Sequence, residues 1–142
     1  MEHLAKRLMS LNQTFMGIVA YELKKRHITI PQAIVLDTIK DRAKTIGDIS
    51  KAVDLSYSTV SGIIDRLERQ ELVERFRDVS DKRVVFVRMT EKCLAFHSTD
   101  PFMSPDFFQE IFKGMTKEEE DRIVDSLSIL QNYLEEHVKL NV

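Results

Sequence analysis

The sequence predicts a mainly α-helical chain with one small β-hairpin, an α+β class in which helices dominate. Three observations predict it. Apolar residues recur at steps of three and four along most of the chain. The period switches to two in a single place, "VVFVRM" at 84–89. Helix-start signals, "TIPQ", "TIGD", "SYST" and "TKEE", punctuate the rest. At 142 residues, one domain is the default.

The first helix is predicted over 3–26, from Leu4, Leu8, Leu11, Phe15, Ile18 and Leu23. It ends in "ELKKRH", whose cations suit a helix C-terminus. "TIPQ" opens the second, with Thr29 as N-cap, Pro31 in the first turn and Gln32 closing a capping box. Ala33, Ile34, Leu36 and Ile39 are read as its apolar side. Thr45 and Asp48 open a short third helix through about Ala52, apolar at Ile46, Ile49 and Val53. After a tight turn at "DL", Ser56 caps a fourth, in which Val60, Ile63, Ile64 and Leu67 repeat at i, i+3, i+4 and i+7. The hairpin follows Leu72. Thr90 then starts a helix carrying Leu94 and Phe96. "STDPFMSPDFF" predicts an interruption near 99–104, because Asp-Pro and Ser-Pro break helices, with Ser104 capping the restart and Pro105 at its first position. Thr116 with Glu119 opens the last helix, apolar at Ile123, Leu127, Leu130, Leu134 and Val138.

Composition excludes several classes. The lone cysteine, Cys93, rules out an internal disulfide framework and Cys-based metal spacings. His3, His27, His97 and His137 show no close ligand pairing, so neither metal nor cofactor is expected. The N-terminus "MEHLAKRLMS" lacks the apolar core of a secretion signal, and no apolar stretch nears the roughly 18 residues of a membrane span. A soluble cytoplasmic protein is expected. Phosphate loops, nucleophile elbows, HExxH and paired catalytic carboxylates are not found, so the chain is not read as an enzyme. Charge is uneven: residues 91–142 carry five basic and eleven acidic side chains, whereas 40–90 carry eleven and nine. The acidity is confined to the C-terminal third, and a contact face for a polyanion is placed in the middle.

Two short helices joined by a sharp turn, the second with small polar residues outside, make a helix-turn-helix. The second helix is the one expected to enter a DNA major groove. Ser56, Ser58, Thr59 and Ser61 let the backbone come close, and their hydroxyls suit phosphate oxygens or base edges. Gly62 removes bulk, and Arg66 is long enough for a base or a phosphate. The hairpin after this pair makes the motif a winged helix. Its tip "DVSDKR" presents Lys82 and Arg83, suited to the negative potential of a narrow minor groove. Asp81 is expected to aim Arg83 through a bidentate pair.

With these residues in place, the sequence resembles the MarR-type transcriptional regulators. The resemblance rests on "TIPQ", on the stretch from "TIGDISKAVDLSYSTVSGIIDRLERQ" through "ELVERFRDVSDKRVVFVRMTEK", and on the helical ends. It implies a winged-helix homodimer, Asp81 and Arg83 as the wing pair, and groove contacts from Ser56 through Arg66. The chain departs from the family pattern at Glu71 and Cys93, where glycine is usual, and at Pro101 and Pro105, which interrupt a usually continuous helix.

The terminal helices carry long apolar seams that a winged helix is too small to cover, which independently predicts a dimer. Residues 1–28 and 91–142 are assigned to dimerisation and 29–90 to the winged helix-turn-helix, within one intertwined domain. The expected function is sequence-specific DNA binding as a homodimer on a pseudo-palindromic operator, in the manner of a repressor. The resemblance adds release by a small aromatic or phenolic ligand, for which Phe15, Tyr21, Phe96 and Phe102 are the candidate lining. Redox sensing through Cys93 is a lesser expectation. The competing reading is a winged helix used for protein–protein contact without specific DNA binding.

Overall fold

The helix-start signals of the sequence cap real helices. The computed structural model describes residues 1–98 and 105–141, and the side chains of all of these but 96–98, 105 and 106. Helix α1, Glu2–Lys25, ends where His27 turns left-handed (φ 58°) and the Ile28 N–H donates to the Leu23 carbonyl at 3.1 Å. Helix α2, Ile30–Thr38, starts in a complete capping box. The Gln32 N–H donates to Thr29 Oγ1, and the Thr29 N–H donates to Gln32 Oε1 at 2.9 Å. Thr45 accepts from the Asp48 N–H to open α3, Ile46–Val53, and Ser56 accepts from the Thr59 N–H to open α4, Tyr57–Arg69. Between them Asp54 takes a left-handed conformation and the Ser50 hydroxyl donates to the Leu55 carbonyl, which makes the turn sharp.

Strands β2, Val73–Arg77, and β3, Val85–Met89, form the expected hairpin, with Val73 opposite Met89 and Arg77 opposite Val85. The two-residue strand β1, Lys44–Thr45, pairs antiparallel with β3 and makes the sheet β1-β3-β2. The sequence reading missed β1, because two residues are too few to show a period. Helix α5, Glu91–Ser98, follows Thr90, whose hydroxyl accepts from the Cys93 N–H at 3.1 Å. Helices α6, Pro105–Ile111, and α7, Lys117–Asn141, complete the chain. Thr116 and Glu119 exchange both bonds of the box that opens α7. The interruption expected near 99–104, with its Ser104 cap, lies outside the described residues.

The chain divides into two compact units, Met1–Asp100 and Pro101–Val142. The core of the first is built from Val35 of α2, Ile39 at its C-cap, Ile49 of α3, Val60, Ile64 and Leu67 of α4, and Val73 and Val87 of the hairpin. The buried stripe of α2 is Gln32, Val35 and Leu36, continued by the C-cap Ile39, while Ile34 is exposed. This corrects the apolar side read from the sequence. A buried glutamine occupies one core position, so hydrophobicity alone put Ala33 and Ile34 where Gln32 and Val35 belong.

The end of α4 repeats that theme. Glu71 is left-handed at φ 59°, the geometry for which glycine is the easier residue. Its carbonyl accepts from Thr90 Oγ1 at 2.7 Å and its carboxylate pairs with exposed Lys92 at 3.1 Å. An exposed pair contributes little. Glu71→Gly is therefore expected to stabilise the fold by up to about 1 kcal/mol in a urea melt.

Candidate nucleic-acid interface

The outer face of α4 is small and polar because its inner face is the core. Val60, Ile64 and Leu67 are fully buried, which turns Ser58, Thr59 and Arg66 to solvent with Ser61 and Gly62 half-exposed between. The hydroxyls form a local cluster, Ser56 Oγ lying 2.7 Å from Thr59 Oγ1 and 3.2 Å from Ser58 Oγ. A Cβ added at Gly62 meets nothing within 4 Å. Gly62 therefore answers no packing need inside the chain, and the space it leaves faces outward. Gly62→Ala is expected to raise thermal stability by roughly 0.5–1 kcal/mol through helix propensity. The same change should weaken DNA binding, which anisotropy and melting measured together would show as opposite trends.

The wing is braced at its base and charged at its tip. Arg77 reaches from β2 to donate to the Lys82 carbonyl at 2.7 Å, and the Asp78 N–H donates to the Val84 carbonyl at 3.0 Å. One oxygen, Asp81 Oδ1, accepts both the Arg83 backbone N–H at 3.0 Å and Arg83 Nε at 3.3 Å. The expected bidentate guanidinium pair is thus corrected to a single-oxygen clasp, because the turn spends one bond on the backbone. The outer nitrogens of the guanidinium stay free of Asp81, and the side chain is 93% exposed. Arg83 borders a recess of about 340 Å³ with Thr45, Gly47 and Tyr57, so the wing tip and the start of α4 line one concavity. Lys82 and Arg66 make no ion pair among the described residues, and both are exposed.

Sequence reasoning missed Arg75, which bonds the two acids of this face. Asp65 and Glu68 sit on α4 and would repel phosphate. Arg75 of β2 bonds both: Nη2 to Asp65 at 2.6 Å and Nη1 to Glu68. Burial pulls the Arg75 pKa down, but the hydrogen bonds and charges of the two carboxylates outweigh it and the net shift is upward. The signal was present in the strand period. Arg75 stands two residues after core-facing Val73, on the same face of the strand, and so faces α4. On the opposite face Phe76 stacks on Phe86 at 5.7 Å, under Arg88, which pairs with Glu74 at 2.7 Å.

Of the candidate ligand residues, Phe15 and Tyr21 stand exposed on α1, with the Lys25 ammonium 4.5 Å from the Tyr21 ring centroid. Phe102 and the side chain of Phe96 lie outside the described residues. Cys93 is buried and desolvation pushes its thiol pKa up, so it stays protonated at neutral pH and has little nucleophilic character.

Residues 28–85, spanning α2 to the start of β3, match the model of the MarR family. The chain is also 31% identical over 111 residues to YsmB of Bacillus subtilis (strain 168), an HTH-type transcriptional regulator, covering 78% of this chain and 76% of YsmB. The chain belongs to the MarR family. A second relative is the HTH-type transcriptional repressor IacR of Pseudomonas putida, 29% identical over 80% of this chain and 68% of IacR. The fold agrees with the solved structure of Streptococcus pneumoniae FabT in complex with DNA, at TM-score 0.74 and 26% identity over 95% of this chain and 97% of FabT. Membership of the MarR family makes this winged helix a DNA-binding module of transcription regulation. No described helix is long and apolar enough to cross a membrane.

Proposed function

We propose that the chain acts as a homodimeric, sequence-specific repressor on a pseudo-palindromic operator, with α4 in the major groove and Arg83 in the flanking minor groove. The observation that carries this reading is the outer face of α4. Its two carboxylates are held by Arg75, which offsets one of their two charges, while Arg66 makes no ion pair among the described residues and the Arg83 guanidinium keeps its outer nitrogens clear of Asp81. Ser56, Ser58, Thr59 and Ser61 are assigned to phosphates and base edges, Gly62 to close approach, and Asp81, Lys82 and Arg83 to the wing contact.

The dimer is supported by apolar seams that stay open within each unit. Leu4, Leu11 and Phe15 of α1 are exposed, and so are Ile123, Leu127, Leu134 and Val138 of α7. We assign 1–28 and 91–142 to the dimer contact on that ground. The repressor reading is supported by IacR, and binding to duplex DNA by the FabT complex. Release by a small aromatic or phenolic effector contacting Phe15, Tyr21, Phe96 or Phe102 completes the proposal.

The test is selection from random duplex DNA, followed by binding at two salt concentrations. A pseudo-palindrome with half-sites roughly 10 bp apart is expected, bound by a dimer, with affinity falling steeply as salt rises. Binding no tighter than to random DNA, at low salt as well, would favour the protein-contact reading instead.

A further inference from the structure

Gln32 is the buried polar side chain among the described residues, at 5% exposure. Its orientation follows from the capping box. The Thr29 N–H needs an oxygen, so Gln32 Oε1 faces it and Gln32 Nε2 must face away. Nε2 donates to Gln70 Oε1 at 3.1 Å. That fixes Gln70 in turn, and Gln70 Nε2 donates to the His27 carbonyl at 2.8 Å. The result is a directional relay from the start of α2, through the C-cap of α4, to the left-handed turn that ends α1. Flipping either amide would set oxygen against oxygen or N–H against N–H at two contacts.

Both ends of the relay are anchored. His27 is held by its N–H to the Lys24 carbonyl at 3.0 Å, and buried Leu23 and Ile28 flank that turn. Gln70 caps α4, its N–H donating to the Arg66 carbonyl at 3.1 Å, one turn from the outer face that carries Arg66 itself. From the other side Lys92 of α5 donates to the Gln70 carbonyl at 3.3 Å. The end of the groove helix is thus bolted to the end of α1 by polar bonds of fixed direction. Apolar packing alone would let it slide.

We propose that Gln70 is a positioning residue. Through Gln32 and the His27 carbonyl it fixes α4 against the end of α1, and thereby the separation at which two groove helices of a dimer meet their half-sites. The inference rests on the dimer proposed above, since α1 would then belong to the shared interface. It touches no DNA itself. Its loss should relax the spacing the dimer accepts, leaving the contacts made within each half-site intact.

The selected operator and a copy lengthened by one central base pair are the probes. The insertion turns one half-site by about a tenth of a helical turn against the other. The ratio of the two affinities is read for the full-length chain. In Gln70→Ala that ratio is expected to fall at least about five-fold, within the range of coupling between bonded groups. Gln32→Glu should do the same, because it keeps the capping-box oxygen and replaces the donor to Gln70 by a second, charged oxygen. Combining Gln32→Glu with Gln70→Lys replaces the relay by a cation donating to both the new carboxylate and the His27 carbonyl, and should return the ratio to within about two-fold of the parent. A general loss of stability would lower both affinities alike and leave the ratio unchanged. An unchanged ratio in Gln70→Ala, or a double variant that folds and does not recover it, overturns the inference. A parent chain that binds neither probe better than random DNA overturns the operator reading instead, before any variant is made.

Discussion

Arg83→Ala is expected to lower operator affinity by about ten- to a hundred-fold while the melting curve stays where it was. The two halves of that expectation come from one geometry. Arg83 is almost fully exposed and its internal partner is Asp81, two residues away, so the fold loses only a surface clasp. A surface change of that kind shifts stability by no more than about 0.5 kcal/mol. For DNA the side chain is the tip of a braced probe. Arg77 ties β2 to the Lys82 carbonyl, and the turn is closed by the Asp78 and Val84 backbone bonds. On the proposed binding mode the braced backbone would present the guanidinium to the minor groove. Asp81→Ala should cost less than Arg83→Ala, since it frees the aim and leaves the charge. Arg83→Lys should recover part of the salt-dependent attraction and little of the preference for A·T-rich flanks, because an ammonium lacks the planar fork. Anisotropy titrations on flanks of differing A·T content, with thermal melts alongside, check all three. Equal affinity in Arg83→Ala would remove the wing from the interface.

What could be read from the sequence follows from the range over which each cause acts. The caps at Thr29, Ser56 and Thr116 are decided within three residues, and the structure places a helix start at each. The hairpin is decided by a local change of period. The left-handed end of α4 at Glu71 was legible only through the family resemblance, in which glycine is usual at that position. The stripe of α2 was misread because the decisive residue is a glutamine whose burial depends on a partner 38 positions away. Strand β1 exists only because β3 passes beside it. The hydroxyl rim and the wing tip, the proposed contacts, are runs of adjacent residues, the kind of feature a sequence displays directly. The Arg75 clamp joins a strand to a helix ten residues back and leaves no run to notice.

That clamp carries the other large expected effect. Arg75→Ala removes one positive charge and exposes two negative ones on the helix proposed to lie against phosphates. The fold should lose about 1 kcal/mol, because the pairs are partly open to water and β2 keeps its ladder with β3. Binding should fall by about a hundred-fold, since bare like charges at an interface cost several kcal/mol. The loss should be largest at low salt, where repulsion is least screened. The informative experiment adds Asp65→Asn and Glu68→Gln to the same chain. If Arg75 works by neutralising the helix, the triple variant regains most of the lost affinity although the arginine is still missing. If Arg75 were itself a phosphate contact, the triple variant would stay weak. In the parent background the two amide changes leave Arg75 uncompensated, so they should tighten binding to random DNA more than to the operator. Selectivity would narrow as affinity grows. That outcome would place the carboxylates among the specificity devices of the interface: acids kept on the groove helix to repel DNA wherever the fit of Arg66 and the hydroxyl rim is imperfect, and held in check by one arginine from the wing.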